Sequence, residues 1–379
     1  MDWRVPLSDL DYGEEEEAAV LEVLRSRWLT MGAKTQEFEA KFAQRVGVGH
    51  AIAVSNATVA LHLACVLLEI GPGDEVILPS LTFVATANAV RYTGAKPVFA
   101  DVIGESELNI SPAAIEAKIS PKTRAIIVVH YGGFACRMTP IKSLAQRHNL
   151  AVIEDAAHAP GASLQGISLG TWGDLGCFSF FSNKNMATGE GGMLVTNDDE
   201  LAARARRLRS HGMTSMTLDR HKGHAFSYDV TELGFNYRID EVRSALGLVQ
   251  LAKLEAGNRR RQELTHHYWR LLEDSGLILP FLDSIGESSY HIMPVLLPDG
   301  INRHEFMATL RAAGVQSSIH YPPIHQFSDF IAEHADLDLP NTIEIGARQV
   351  TLPLHPGMSD SQVEYVVRAI GDAIQATNG

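Results

Sequence analysis

Between residues 51 and 195, short unbroken apolar runs alternate with stretches whose apolar residues recur at helical spacing. A short apolar run bounded by turn residues reads as a buried strand; recurrence every three or four residues reads as an amphipathic helix. The pattern predicts strands at 51–54, 75–78, 96–100, 125–130, 151–153 and 177–181. Between them it predicts helices from the Ser55-Asn56-Ala57-Thr58 turn through Leu68, and over 85–93, 112–119 and 140–148, with another at 199–208. Alternation of this kind is the signature of an α/β fold, a parallel sheet with helices on both faces.

Two helices precede the alternation. Residues 14–27 carry Ala18, Leu21 and Leu24 in a helical rhythm behind an acidic first turn, which suits the helix dipole. Residues 35–46 place Phe38, Phe42 and Val46 on one face. The turn between them, 28–32, is either a packed connection or a loop at the edge of a substrate site. After residue 235 a long helix, 240–272, carries the chain out of the first unit. The boundary is placed near 248, giving a large domain over 1–248, with its N-terminal helical segment, and a smaller α+β domain over 249–379. In the latter, strands are predicted at 292–297 and 349–352 and helices at 303–313 and 359–376. The Ile319-His320-Tyr321-Pro322-Pro323 segment interrupts them as an extended, rigid piece.

Charge narrows the function. The 32 basic and 45 acidic side chains leave a formal net charge of −13. That balance argues against nucleic-acid binding but leaves room for an anionic small molecule held by local donors. No basic start followed by an apolar core opens the chain, so no secretory signal is expected. The longest uncharged run, 51–68, holds Ser55, Asn56, Thr58 and His62 and does not read as membrane-spanning. Cys65, Cys136 and Cys177 are far apart and form no CxxC pair. They point to a reducing, cytoplasmic setting and against a structural zinc. The glycosylation-like Asn56-Ala57-Thr58 is idle in such a setting.

The chemistry concentrates in residues 150–194, LAVIEDAAHAPGA followed by CFSFFSNKNMATGEGGML. One apolar run ends in Glu154-Asp155, with His158 three residues on. The next ends in Ser182-Asn183-Lys184 and a turn containing Gly189-Glu190-Gly191-Gly192. A carboxylate and a lysine at neighbouring strand ends of an open sheet share one crevice. Pyridoxal phosphate (PLP) asks for that pair: a lysine for the aldehyde and an acid for the pyridinium nitrogen. Phe83, at the exit of strand 75–78, is available to cover a flat ring, although an ordinary core role is open to it. Ala57 and Thr58 open a helix where backbone N–H groups can grip a phosphate, and Ser179 can add a hydroxyl. His158 can reach a phenolate oxygen, or it is a turn histidine satisfied by backbone. No GxGxxG follows a first strand and no HExxH is present, so dehydrogenase and zinc-hydrolase chemistry are not indicated. The stretch 210–235, with His211, Arg220, His221, Lys222 and His224, is either a solvated loop or one that closes over an anionic substrate.

These residues resemble a known family. SNATVALHLA (55–64), PSLTFVATANAV (79–90), IEDAAHAPGA (153–162), FSFFSNKNMATGEGGMLVT (178–196) and LGFNYRIDEVRSALGLVQL (233–251) are similar to the DegT/DnrJ/StrS sugar aminotransferases, within the fold-type I PLP enzymes. The resemblance implies a large domain with a mostly parallel seven-stranded sheet between helices, plus a small C-terminal α+β domain. It implies Lys184 as the Schiff-base lysine, Asp155 on the pyridinium and Phe83 on the ring. His158 would lie beside the phenolate oxygen, with Ala57, Thr58 and Ser179 on the phosphate. Asn236 would reach the phosphate of a neighbouring subunit's cofactor, which implies a homodimer with shared sites. Asn56-Ala57-Thr58 stands where Ser-Gly-Thr is usual, and His158 where glutamine is frequent; both keep the needed hydrogen-bond donors. Some relatives that dehydrate sugars have histidine at the position of Lys184, so the lysine favours transamination. The implied reaction moves an amino group from an amino acid, L-glutamate, to a nucleotide-linked keto sugar, with ping-pong kinetics. Arg220 and Lys222 are expected on an anionic group of the substrate, and His320 or Tyr321 on sugar hydroxyls. A PLP-binding sensor without turnover, or a lyase or dehydratase, is the alternative.

Overall fold

The computed structural model describes residues 3–214, 227–334 and 337–377. Seven strands form the main sheet: β1 (His50–Val54), β2 (Glu75–Pro79), β3 (Lys96–Ala100), β4 (Thr123–Val129), β5 (Ala151–Asp155), β6 (Leu175–Ser179) and β7 (Gly192–Thr196). Their spatial order is β1-β7-β6-β5-β4-β2-β3. Neighbours pair in parallel except at β7, which runs antiparallel to both β1 and β6. β7 is a strand that apolar-run reading does not separate from the turn before it. The connection from β6 carries no helix, so the chain returns antiparallel instead of crossing over. The apolar runs are nearly continuous because both faces of the sheet are covered: β6 and β7 are buried at all five positions.

The helices are α1 (Glu14–Ser26), α2 (Ala33–Val46), α3 (Ala57–Leu67), α4 (Ala85–Arg91), α5 (Pro112–Lys118), α6 (Met138–His148), α7 (Asp199–Leu208) and α8 (Glu241–Leu272). Helix α2 starts two residues before the expected position. The buried Glu241 carboxylate accepts the N–H groups of Gly32, Lys34 and Thr35, satisfying donors that a helix start leaves free. Phe38 and Phe42 of α2 pack edge-on or tilted against Phe178 and Phe180, at centroid separations from 5.0 to 5.6 Å. In α1 the apolar rhythm faces outward. Leu21 and Leu24 are 45% and 51% exposed, while Glu16 and Val23 are buried. Glu16 goes inside because Gly13 N–H, Gln250 Nε2 and Lys253 Nζ all bond its carboxylate.

Helix α8 links two cores. Leu254 packs with the residues beneath the sheet, whereas Leu264, Tyr268 and Leu272 pack with a second cluster. Most of that cluster comes from β8 (Met293–Leu296), α9 (Arg303–Ala312), α10 (Pro340–Arg348), β9 (Gln349–Leu352) and α11 (Asp360–Thr377), and Leu81, Val102, Leu108, Tyr131 and Phe134 from the region of the main sheet join it. β8 and β9 pair antiparallel. Val5 belongs to the same cluster and bridges to Val315, so the start of the chain packs with the C-terminal unit. Among the described residues no helix is long and apolar enough to cross a membrane.

Candidate active site

Strands β2, β4, β5 and β6 all end on one edge of the sheet, and a cavity of about 420 Å³ opens there. Crevices at the carboxyl ends of parallel strands are where such sheets bind ligands. Ala57, Thr58, Phe83, Asp155, His158, Ser179, Lys184, His320 and Tyr321 all line this one cavity. The sequence separates Ala57 from Tyr321 widely; the topology brings them together.

Asp155 is the last residue of β5 and 6% exposed. Its Oδ2 accepts the Thr86 hydroxyl at 2.8 Å, and its Oδ1 accepts the Ala157 N–H at 3.2 Å. Burial raises its pKa above the ordinary carboxylate value, against the opposing effects of those two bonds and of Lys184. A buried carboxylate so placed suits a cationic partner in the cavity. Thr86 lies on α4 and approaches Thr82 at 3.1 Å, hydroxyl to hydroxyl.

Lys184 follows the β6 exit in a turn closed by its own N–H to Phe181 O at 2.8 Å. Desolvation lowers its pKa to about 8, with Asp155 acting the other way. A lysine amine that deprotonates near neutrality is an available nucleophile and base. His291, not singled out from the sequence, brings its Nε2 to 3.4 Å from Lys184 Nζ.

His158 is buried, and burial together with Lys184 and His320 holds its pKa well below the ordinary imidazole value. Its Nδ1 accepts the Gly132 N–H at 3.2 Å, so the neutral ring keeps its proton on Nε2, 3.0 Å from the Tyr321 hydroxyl. His158 thus has a backbone partner and also a donor aimed into the cavity; the two readings of this residue are compatible. Burial pushes the Tyr321 hydroxyl above its usual pKa, with Asp155 adding to the shift.

Tyr321 and His320 arrive from the C-terminal unit on an extended segment. Gln349 and Thr351 of β9 hold one side of it: His320 N–H donates to Gln349 Oε1, and His320 Nδ1 meets Thr351 Oγ1, each at 2.9 Å. Farther along, Ile324 N–H donates to Ser80 O at 2.9 Å, and Ser80 Oγ meets His325 Nδ1 at 2.8 Å. The segment is therefore tied to both units and spans the cavity. Burial, reinforced by Lys184, lowers the His320 pKa to about 4 and keeps the ring neutral. Phe83, 56% exposed, faces Tyr321 at 5.8 Å.

Helix α3 begins at the same edge. Asn56 caps it, accepting the Val59 N–H at 3.0 Å. The preceding N–H groups, of Ala57 and Thr58, have no acceptor within the helix and stand at the cavity wall. Asparagine here serves as an ordinary N-cap, which accounts for its tolerance in place of serine. Gly192 permits this arrangement. A Cβ there would sit 2.5 Å from Asn56 C and 2.8 Å from Ala57 N, so the glycine lets β7 pass against the helix start. Gly192→Ala is expected to displace the α3 N-terminus and weaken PLP binding by about tenfold. Titration of the cofactor-free protein with PLP checks this; wild-type affinity in the variant would refute it.

Asn236 is exposed and does not line the cavity of its own chain; it bridges to Ser210. Arg220 and Lys222 lie outside the described residues. Among the described residues no cluster of three or more His, Cys, Asp or Glu side chains is arranged to hold a metal ion.

Residues 10–371 match the model of the DegT/DnrJ/EryC1/StrS aminotransferase family. The chain belongs to that family. It is 40% identical over 374 residues to the spore coat polysaccharide biosynthesis protein SpsC of Bacillus subtilis (strain 168), covering 97% of this chain and 96% of that one. The solved structure of the aminotransferase TlmJ from Streptoalloteichus hindustanus superimposes with a TM-score of 0.91 at 36% identity, over 98% of this chain and 99% of that one. Spr1654 from Streptococcus pneumoniae, in its PLP form, gives a TM-score of 0.91 at 26% identity, over 98% and 99% of the two chains. The fold is that of fold-type I PLP enzymes, and the chain is a PLP-dependent aminotransferase. The cavity fits the cofactor: a desolvated lysine, a buried carboxylate and an uncovered helix N-terminus surround one space of suitable size.

Proposed function

We propose that this sugar aminotransferase moves the amino group of L-glutamate to a nucleotide-linked keto sugar, with Lys184 and Asp155 as its catalytic pair. The observation that carries the reading is the enclosure of both residues in one cavity, with Asp155 raising and burial lowering the Lys184 pKa. Bound PLP supplies an electron sink that makes the Cα–H of an attached amino acid acidic. Lys184 would anchor the cofactor and, once freed by the donor, would take the Cα proton on Nζ and pass it to the cofactor carbon that keeps the nitrogen, with the transfer reversed for the acceptor. Asp155 holds the ring nitrogen protonated through a charge-assisted hydrogen bond, and Thr86 fixes the carboxylate that does so. Phe83 covers the ring, and His158 directs its Nε2 proton to the phenolate side. Ala57, Thr58 and Ser179 hold the phosphate. His320 and Tyr321 face sugar hydroxyls; Arg220 and Lys222 are assigned to an anionic group of the substrate. The name of SpsC, a polysaccharide biosynthesis protein, supports a sugar acceptor.

The working unit is a homodimer in the cytoplasm. Asn236, outside its own cavity, is free to serve the partner's cofactor phosphate. The outward apolar side chains Leu21, Leu24 and Leu29 offer surface for a second copy to cover.

Incubating the enzyme with L-glutamate and a panel of nucleotide-linked 3-keto and 4-keto hexoses and free keto-cyclitols tests the acceptor. Mass spectrometry is expected to find one nucleotide-linked amino sugar and stoichiometric 2-oxoglutarate. Amination of the cyclitols alone would overturn the nucleotide-sugar assignment; release of ammonia without an amino sugar would favour a lyase.

A further inference from the structure

His291 stands at the start of the strand region that opens the C-terminal unit, 107 residues beyond Lys184, and its ring touches the rear of the active site. Its protonation pattern is fixed by a chain of bonds that ends on backbone carbonyls. Asn258 Nδ2 donates to Pro160 O at 2.8 Å, which leaves Asn258 Oδ1 as an acceptor. Asn185 Nδ2 donates to that Oδ1 at 2.8 Å and to Ser289 O at 2.7 Å. Carbonyl oxygens only accept, so the Asn185 amide has one allowed orientation, and its Oδ1 faces His291 Nδ1 at 2.8 Å. His291 therefore carries its proton on Nδ1. Its Nε2 lone pair is left facing Lys184 Nζ at 3.4 Å, a separation on the long side for a hydrogen bond, as is common before substrate tightens a site. Burial first, then His158 and Lys184, keep the ring unprotonated, so it stays an acceptor and does not take the proton itself.

We propose that His291 is a positioning residue for Lys184: it accepts one N–H of the freed amine and thereby points the amine's lone pair into the cavity. This rests on the reading of Lys184 given above. A primary amine on a four-carbon stem has several rotamers, only some of which aim its lone pair at a substrate carbon. Anchoring one N–H removes the unproductive ones, and small errors of aim are costly in proton transfer. Asn185, adjacent to Lys184 in sequence, thus sets the tautomer of the group that orients its neighbour.

The test compares wild type, His291→Leu and His291→Gln, with Lys184→Ala as reference. Three quantities are measured: steady-state kcat and KM for L-glutamate, the isotope effect with α-deuterated L-glutamate, and the rate at which cofactor-free protein captures PLP. His291→Leu is expected to lower kcat by about 10- to 100-fold with KM nearly unchanged, to raise the isotope effect and to slow PLP capture. His291→Gln, which can present an acceptor oxygen, should recover part of each. A merely structural role would move thermal stability and cofactor retention, not the isotope effect. If His291→Leu does not fold, His291→Ala, which also lacks the acceptor, takes its place, and wild-type values in that variant overturn the proposal. If Lys184→Ala is inactive and a folded His291→Leu matches wild type in all three quantities, the positioning role is overturned and the reading of Lys184 stands. If Lys184→Ala keeps turnover, both fall.

Discussion

Lys184→Ala is expected to lower aminotransferase turnover by more than about 10³-fold, leaving the fold intact. Two losses coincide in this variant: the covalent anchor of PLP and the base that moves the proton. His158, His291 and His320 surround the amine, but burial holds all three imidazoles below their ordinary pKa. None is tuned to replace a lysine with a pKa of about 8. The variant should still bind PLP, more weakly, through Asp155 and the α3 N-terminus. Rapid-quench measurement of 2-oxoglutarate formation checks the prediction, with circular dichroism to verify folding. Retention of most of the activity would remove Lys184 from the mechanism.

Asp155→Asn is expected to slow the reaction with L-glutamate by about 10²- to 10³-fold, the range seen when one preorganised electrostatic partner is removed. The amide cannot balance a ring cation, and the electron sink fails with it. The variant also has a signature independent of catalysis. Asp155 raises the Lys184 pKa, so without its charge that pKa should fall below about 8. PLP capture needs the neutral amine, so its rate climbs as pH rises and levels off above the lysine pKa. The levelling point should therefore move to lower pH in Asp155→Asn. Stopped-flow mixing of cofactor-free protein with PLP across pH reads this directly. An unmoved profile would mean that the two groups do not interact, and an unchanged glutamate rate would mean that another group holds the ring nitrogen.

Much of this site could be read along the chain because most chemical groups sit where an apolar run stops. Asp155 ends β5 and Ala57 opens α3, close to boundaries visible in the local pattern; Ser179, which ends β6, falls inside the run 177–181 that the pattern predicts. What the pattern hides is what arrives from elsewhere. Thr86 looks like one more small residue in a helix, and only the fold, which brings it to the end of β5, gives it a carboxylate partner. His291 sits in an apolar context before β8, and Asn185 and Asn258 resemble surface amides until the fold stacks them. The direction in which α1 faces is hidden for a related reason. Helical rhythm locates an apolar stripe, but Gly13, Gln250 and Lys253 draw Glu16 inward, and the apolar stripe is left facing out. The antiparallel strand β7 escaped because glycines blur the start of its apolar run. One of them, Gly192, is there to let the strand pass the α3 N-terminus.

The central claim is that Lys184 and Asp155 form a PLP site that accepts an amino group from L-glutamate. The visible absorption spectrum of the purified, PLP-loaded protein, recorded before and after L-glutamate, tests it most directly. The account predicts a band from the lysine-bound cofactor that disappears on adding L-glutamate, is replaced by the absorption of the aminated cofactor, and returns when a keto acceptor is added. A band that L-glutamate leaves unchanged would contradict the assigned donor. Absence of any such band after incubation with PLP would contradict the assignment of Lys184 and Asp155 itself.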